Sequence, residues 1–522
     1  MNRRNRTFLV IFQILVLFIL FLTISFIWAS NLWGNITFAE IVFNLNMPLK
    51  GTSIDIIESF FKGDVLPTCI VFVIETLILI MILSRSKRRK WWTFCWNVRF
   101  LKYSHTFRIR MAGILLLLFL MTWVGVLFRF VDEKYEITDW VKNQLNTSNF
   151  IEENYVNPEV VNTVFPTDKR NLIWIFVESA ESSNQDITNG GAFDENYTPE
   201  MTELAFENVS FSQSEVLEGA GVAPLTGWTV AGLVAQTAGV PMKLYSYDAV
   251  YDTGGVNEAL GNYVSFLPGA VSLGEILEDE GYNNFFMCGS DFSFGGRLDY
   301  YQQHGHYEYF DLNTAKNEGY ISNDYYENWG YEDEKLYSYA KEKIEKLANG
   351  GKPFNFQMLT ADTHFPDGYE CELCENDFDK QYANVWACAS RQLYDFVKWI
   401  QDQDFYENTT IVITGDHCSM QADFYDVYAN LHLGSTERKV YNAIINPAIL
   451  PINEKNRKFT TLDFYPTVLA ALGVEIEGNR LGLGTNLFSE EPSLAEKYGF
   501  EYMYQEMLKK SIFYDEKILY GK

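Results

Sequence analysis

Asp416 and His417 follow an apolar run, Ile411-Val412-Ile413-Thr414-Gly415, so a carboxylate and an imidazole stand side by side just past a glycine. A buried parallel strand that stops at its carboxyl end delivers such residues to the rim of a sheet, where open α/β folds bind ligands. The run Asn171 to Val177 repeats the construction and delivers one carboxylate, Glu178. Between them lies Pro224-Leu225-Thr226-Gly227-Trp228-Thr229, a turn leading into a helix-like run that offers a hydroxyl at a helix N-terminus. Two carboxylates, one imidazole and a hydroxyl can hold a divalent cation and present an oxygen nucleophile to an anionic, phosphate-bearing substrate. Each also has a plainer role: Glu178 as a solvated strand-end acid, Asp416-His417 as a turn, Thr226 as a helix cap.

The elements that must position these residues alternate in type. Strands are predicted at Leu172 to Val177, Asn284 to Cys288, Phe354 to Leu359, Thr410 to Thr414 and Val440 to Ile445. Helices are predicted at Thr226 to Ala238, Ser272 to Glu280, Glu334 to Leu347, Tyr382 to Gln401 and Tyr465 to Leu472. That alternation predicts one large α/β domain over residues 169–490, with a mostly parallel central sheet flanked by helices. A polar, Asn-rich linker over 131–168 precedes it, and a Tyr-, Glu- and Lys-rich cap over 491–522 follows.

Three apolar stretches, about Thr7 to Trp28, Leu66 to Leu83 and Met111 to Phe128, each approach the ~20 residues that span a bilayer, so residues 1–130 are predicted to form a three-helix transmembrane region. Arg3, Arg4 and Arg6 precede the first stretch, and Arg85, Lys87, Arg88, Arg89, Lys90, Arg99, Lys102, Arg108 and Arg110 lie between the second and third. Short basic loops stay cytoplasmic, so three crossings place everything after residue 130 outside the cytoplasm. The apolar core of the first stretch is longer than that of a cleaved signal peptide, which favours an uncleaved anchor.

Charge divides the chain at the same place. Residues 1–130 hold 15 Lys+Arg against 5 Asp+Glu, leaving 26 against 63 beyond. So acidic a domain excludes nucleic acid as a partner and requires local cations if it binds an anion. Cys288, Cys371, Cys374, Cys388 and Cys418 lie in this outer part. In an oxidising compartment Cys371-x-x-Cys374 reads as half of a disulfide to Cys388 more readily than as zinc ligands, with the pairing left open.

Several ordered motifs carry a family resemblance: Val177-Glu178-Ser179, Thr226 to Gly232 (TGWTVAG), Ala238 to Pro241 (AGVP), Asp362 to Gly368 (DTHFPDG), Gly415 to His417 (GDH) and Leu462 to Gly473 (LDFYPTVLAALG). Together they resemble the phosphoglycerol transferase and lipoteichoic acid synthase family, in the sulfatase-like branch of the alkaline phosphatase superfamily. The TGWT and DTHxPDG forms are most similar to phosphoglycerol transferases that decorate periplasmic glucans. Lipoteichoic acid synthases usually have five membrane helices and a cleavage site, against the three stretches here.

The resemblance implies an alkaline phosphatase/sulfatase-like fold and one divalent metal held by Glu178, Thr226, Asp416 and His417, with Thr226 as nucleophile and Thr229 as its competitor. The oxygen-rich donor set favours Mn²⁺, with Mg²⁺ or Zn²⁺ as alternatives. It further implies that His364 contacts substrate and exchanges protons, and that Arg297 contacts the phosphate or glycerol. Gly295 stands where lipoteichoic acid synthases carry a Trp two residues before that Arg; His304 and His306 read as structural. The implied enzyme is a multi-pass protein of the bacterial cell membrane. It moves glycerol phosphate from phosphatidylglycerol to a glycan or glycolipid through a phosphothreonine intermediate. A phosphoethanolamine transferase, a sulfatase or phosphodiesterase, and a catalytically silent envelope assembly protein are the alternatives, although Thr226-Gly-Trp-Thr-Val lacks the C/S-x-P-x-R of sulfatases.

Overall fold

The computed structural model describes residues 3–33, 36–46, 54–86, 93–100, 103–243, 265–421, 424–425 and 438–522. They form two compact units, Met1–Thr37 with Ser53–Thr138, and Phe38–Thr52 with Asp139–Lys522. In the first unit, helices Arg3–Trp33, Leu66–Ser86 and Met111–Tyr135 contain the three predicted apolar stretches. Among the described residues one helix, Val10–Trp33, is long and apolar enough by composition to cross a membrane. The other two leave Ile70, Val73, Leu77, Phe119 and Met121 exposed. Part of the predicted basic loop is an antiparallel hairpin, Thr93–Phe100 with Tyr103–Arg110, while Lys87 to Lys90 lie outside the described residues.

The second unit is built on six strands: β1 (Asn171–Val177), β2 (Asn283–Cys288), β3 (Glu308–Phe310), β4 (Phe354–Leu359), β5 (Thr409–Gly415) and β6 (Asn442–Ile445). Their spatial order is β6-β5-β1-β4-β2-β3. All neighbours are parallel except β6, which runs antiparallel to β5, so the sheet is mixed. Helices cover both faces, which is why β1 and β5 read as continuous apolar runs rather than alternating ones. Trp174, Phe176 and Val412 enter one core with helix α1 (Thr229–Ala238). Ile173, Ile175, Ile411 and Ile413 enter the other with helix α2 (Gln381–Gln401). Tyr382, Val385, Trp386, Ala389, Leu393, Phe396 and Ile400 recur at three- and four-residue spacing and give α2 one apolar face.

Three local departures from the sequence reading have physical causes. The predicted strand Val440 to Ile445 divides at Tyr441, because Lys439–Val440 pairs with Ala220–Gly221 while β6 pairs with β5. The edge strand β3 has three residues, too few for a period to show. Helix α1 starts at Thr229, because Leu225 takes a left-handed φ of 62° and Trp228, the residue before the helix, is extended. Residues 491–522 contribute Leu494, Met503, Met507 and Ile518 to the core beside α1.

Candidate active site

The ends of β1 and β5 are in register, Val177 opposite Gly415, so Glu178 and Asp416 leave the sheet side by side. Gly415 is required here, since a Cβ would stand 1.9 Å from the Ala180 carbonyl oxygen. Asp416 Oδ1 accepts the backbone N–H groups of Ser179 at 2.8 Å and His417 at 2.9 Å. Its Oδ2 is buried without a hydrogen-bond partner and faces His417 Nε2 at 3.3 Å. A buried carboxylate oxygen is not left unpaired without cost, so this atom asks for a cation.

Helix α1 supplies the hydroxyl. Gly232 lets it abut the strand end, because a Cβ there would lie 2.1 Å from the Asp416 carbonyl oxygen. One turn on, Gln236 Nε2 donates to the carbonyls of Gly415 at 2.8 Å and Asp416 at 3.1 Å. This docking brings Thr229 Oγ1 to 3.4 Å from Glu178 Oε2 and 3.3 Å from His417 Nε2. His417 Nδ1 is 2.8 Å from the Cys418 carbonyl, which fixes that nitrogen as the N–H and leaves Nε2 as a lone-pair donor. Ligand atoms of Glu178, Asp416 and His417 all lie within 4.8 Å of one another, and all three residues are buried.

Thr226 is not brought to this group. Its side chain is wholly buried, donates to the Ala223 carbonyl at 2.8 Å and meets Thr461 Oγ1 at 3.3 Å. The expected helix-start hydroxyl is therefore that of Thr229, three residues later.

The charges around the group favour a cation. Burial and the neighbouring Glu178 push the Asp416 carboxyl above its ordinary range. Burial opposes the charged form of His417, yet Asp416, Glu178, the Cys418 carbonyl and Glu40 outweigh it and raise its pKa. Glu40, on helix Phe38–Asn46 of the same unit, is itself buried, with Oε1 3.4 Å from where a Cβ on Gly227 would lie. Three oxygen donors and one imidazole suit Mn²⁺ or Mg²⁺ in a way that a thiolate set does not.

His364 follows β4 in the loop toward α2. Its Nδ1 contacts the Phe365 carbonyl at 2.6 Å, and its ring meets those of Phe365 at 4.7 Å and Trp329 at 4.4 Å. Burial lowers its pKa to about 4, with the Phe365 carbonyl and Asp416 opposing and His417 and Arg297 adding to the fall. His364 is half-buried, whereas the buried Arg297 donates through Nη2 to Ser290 Oγ at 3.0 Å and to the Asp291 carbonyl at 2.8 Å. Its guanidinium lies 5.8 Å from the Phe294 ring, which in turn meets Trp329 at 5.4 Å. Trp329 thus places an aromatic ring between Phe294 and His364 although position 295 is glycine. His304 bonds Glu275 and the Phe266 carbonyl, and the exposed His306 bonds Glu278. Sequence reasoning missed Glu40, Gln236 and Trp329; only Gln236, two turns into the TGWT helix, carried a periodic signal.

Residues 170–474 match the sequence profile of the sulfatase family. A relative named Phosphoglycerol transferase I from Xanthomonas campestris pv. campestris (strain B100) is 30% identical over 334 residues, covering 62% of this chain and 44% of the relative. Another of that name, from Escherichia coli (strain SMS-3-5 / SECEC), is 30% identical over 331 residues, covering 62% and 40%. The chain therefore matches less than half the length of these curated relatives. Among solved structures, the lipoteichoic acid synthase LtaP from Listeria monocytogenes aligns at 18% identity and a TM-score of 0.49, over 66% of this chain and 82% of that one. The profile match spans more than half of the residues and includes both strand ends that carry the acidic and imidazole groups. The chain belongs to the sulfatase family, is built on an α/β fold around a mixed sheet, and is similar in sequence to phosphoglycerol transferases.

Proposed function

We propose that this chain is a membrane-anchored phosphoglycerol transferase. It would take glycerol phosphate from phosphatidylglycerol and give it to a glycan or glycolipid hydroxyl through a phosphothreonine on Thr229. The observation that carries this reading is the Thr229 hydroxyl, first residue of a ten-residue helix, held between Glu178 and His417 beside the unpaired Asp416 Oδ2. Glu178, Thr229, Asp416 and His417 would hold the metal, with Mn²⁺ the best fit to the donors. A divalent cation there supplies the positive charge that lowers a hydroxyl pKa and offsets phosphate charge.

In the first step Thr229 Oγ1 forms a bond to phosphorus as the bond from phosphorus to the diacylglycerol oxygen breaks. The proton lost by Thr229 leaves on diacylglycerol. In the second step an acceptor hydroxyl attacks the same phosphorus, the bond to Thr229 breaks, and the threonine regains a proton. His364 suits the second step: with Nδ1–H committed to the Phe365 carbonyl, a neutral ring keeps Nε2 to take the acceptor's proton. Arg297 and the Phe294–Trp329 pair form the wall for the glycerol phosphate.

Anchoring concentrates the enzyme where a lipid donor resides. Phe38–Thr52, after the first apolar helix, and Asp139 onward, after the third, belong to one compact unit, which supports three crossings with both segments on one side. Basic residues before the first helix and after the second assign that side as extracytoplasmic. Purified full-length protein incubated with fluorescent phosphatidylglycerol and Mn²⁺ is expected to release diacylglycerol. No release, with turnover of an aryl sulfate or of phosphatidylethanolamine instead, would overturn the reading.

A further inference from the structure

A second cluster of metal-binding side chains lies on the loop that carries His364. Cys371 and Cys374 are seven and ten residues beyond that histidine, and Cys388 is on the second turn of α2. Cys371 Sγ is 3.7 Å from Cys374 Sγ and 3.7 Å from Cys388 Sγ, and all three sulfurs lie within 4.8 Å of one another. Cys371 and Cys388 are buried and Cys374 is half-buried. No sulfur is bonded to another, so the disulfide expected from the sequence does not form in this structure.

The spacing has a direct physical meaning. Four ligands at the zinc–sulfur distance of ~2.3 Å stand at the corners of a tetrahedron whose edges measure ~3.8 Å. Two measured separations match that edge, and a disulfide would need ~2.05 Å. The fourth corner is also prepared. The Gln392 amide nitrogen lies 3.3 Å from Cys388 Sγ and 3.6 Å from Cys371 Sγ, while its Oε1 has no hydrogen-bond partner among the described residues. Turning the Gln392 amide by 180° about its last side-chain bond brings that oxygen to the sulfurs.

We propose that Cys371, Cys374 and Cys388 bind a structural Zn²⁺ ion, with an oxygen at the fourth corner for which Gln392 is in place. Binding replaces the three thiol protons, which go to solvent, and consumes no oxidant. The ion pins the His364 loop to α2. Thiolates select zinc, whereas the oxygen-rich group at Glu178, Asp416 and His417 suits a harder ion, so the two sites do not compete for one metal. The inference does not depend on the transferase reading, because it concerns a different set of ligands.

The test uses full-length protein purified in detergent without chelator. Elemental analysis is expected to find one equivalent of zinc that is lost in each of Cys371→Ser, Cys374→Ser and Cys388→Ser and kept in Thr229→Ala. X-ray absorption of the wild-type protein should show sulfur scatterers at ~2.3 Å from zinc, which decides the matter even if a serine variant fails to fold. A disulfide between any two of these cysteines mapped in untreated protein would overturn the proposal. Zinc content unchanged by all three substitutions, or a zinc edge with no sulfur neighbour, would do the same.

Discussion

The two threonines of TGWT should respond to alanine substitution in opposite ways. Thr229 Oγ1 sits 3.3–3.4 Å from His417 and Glu178, whereas the wholly buried Thr226 donates to Ala223 and touches no member of that group. Removing an attacking hydroxyl from a site whose other parts remain costs about 10⁴–10⁶ in kcat, or roughly 5.5–8 kcal/mol of transition-state stabilisation. Thr226→Ala instead deletes two buried hydrogen bonds, to the Ala223 carbonyl and to Thr461 Oγ1, about 1–3 kcal/mol of stability with kcat changed by less than about threefold. Diacylglycerol release from fluorescent phosphatidylglycerol at saturating Mn²⁺, with melting temperature measured in parallel, separates the two effects. Thr229→Ala should be inactive with a nearly normal melting temperature, and Thr226→Ala active but less stable. An inactive Thr226→Ala that melts normally, beside an active Thr229→Ala, would instead make Thr226 the attacking residue.

Gly232→Ala drives a methyl toward the Asp416 carbonyl, so α1 must retreat; a loss of about 1–3 kcal/mol in stability and a larger fall in kcat are expected from denaturation and turnover assays. His364, neutral above about pH 4, should put the acidic limb of kcat/KM near 4 to 5; a limb at the ordinary imidazole value of 6.5 would contradict that depression. The sign for stability follows from the same depression: the unfolded ring takes up a proton first, so this contribution is complete above 6.5 and is lost as pH falls toward 4, a loss that His364→Gln should remove. Glu181 and Arg438 form a buried ion pair with Tyr425 against the guanidinium, and Glu181→Ala should cost about 3–5 kcal/mol, read from denaturant unfolding, because it strands a buried charge.

The strand-end chemistry was legible because burial on both faces forces uninterrupted apolar runs, and those runs end where Glu178 and Asp416-His417 stand. The order of the strands and the antiparallel β6 were not, since pairing is decided by contacts far apart in sequence. Thr226 and Thr229 could not be separated by pattern alone. The left-handed turn at Leu225 delays the helix by three residues, and leucine carries no signal for that conformation. Glu40 and Trp329 enter from distant segments, so nothing local marks them. The cysteine pattern gave the members of the sulfur cluster but not its geometry, which distinguishes tetrahedral edges from a disulfide.

The most direct measurement is tandem mass spectrometry of protein quenched in acid after incubation with phosphatidylglycerol and Mn²⁺ but no acceptor. A phosphoglycerol mass is expected on the peptide containing Thr229, localised to that residue and absent from Thr229→Ala. The same mass on Thr226 or on any other residue would contradict it, as would diacylglycerol release undiminished in Thr229→Ala.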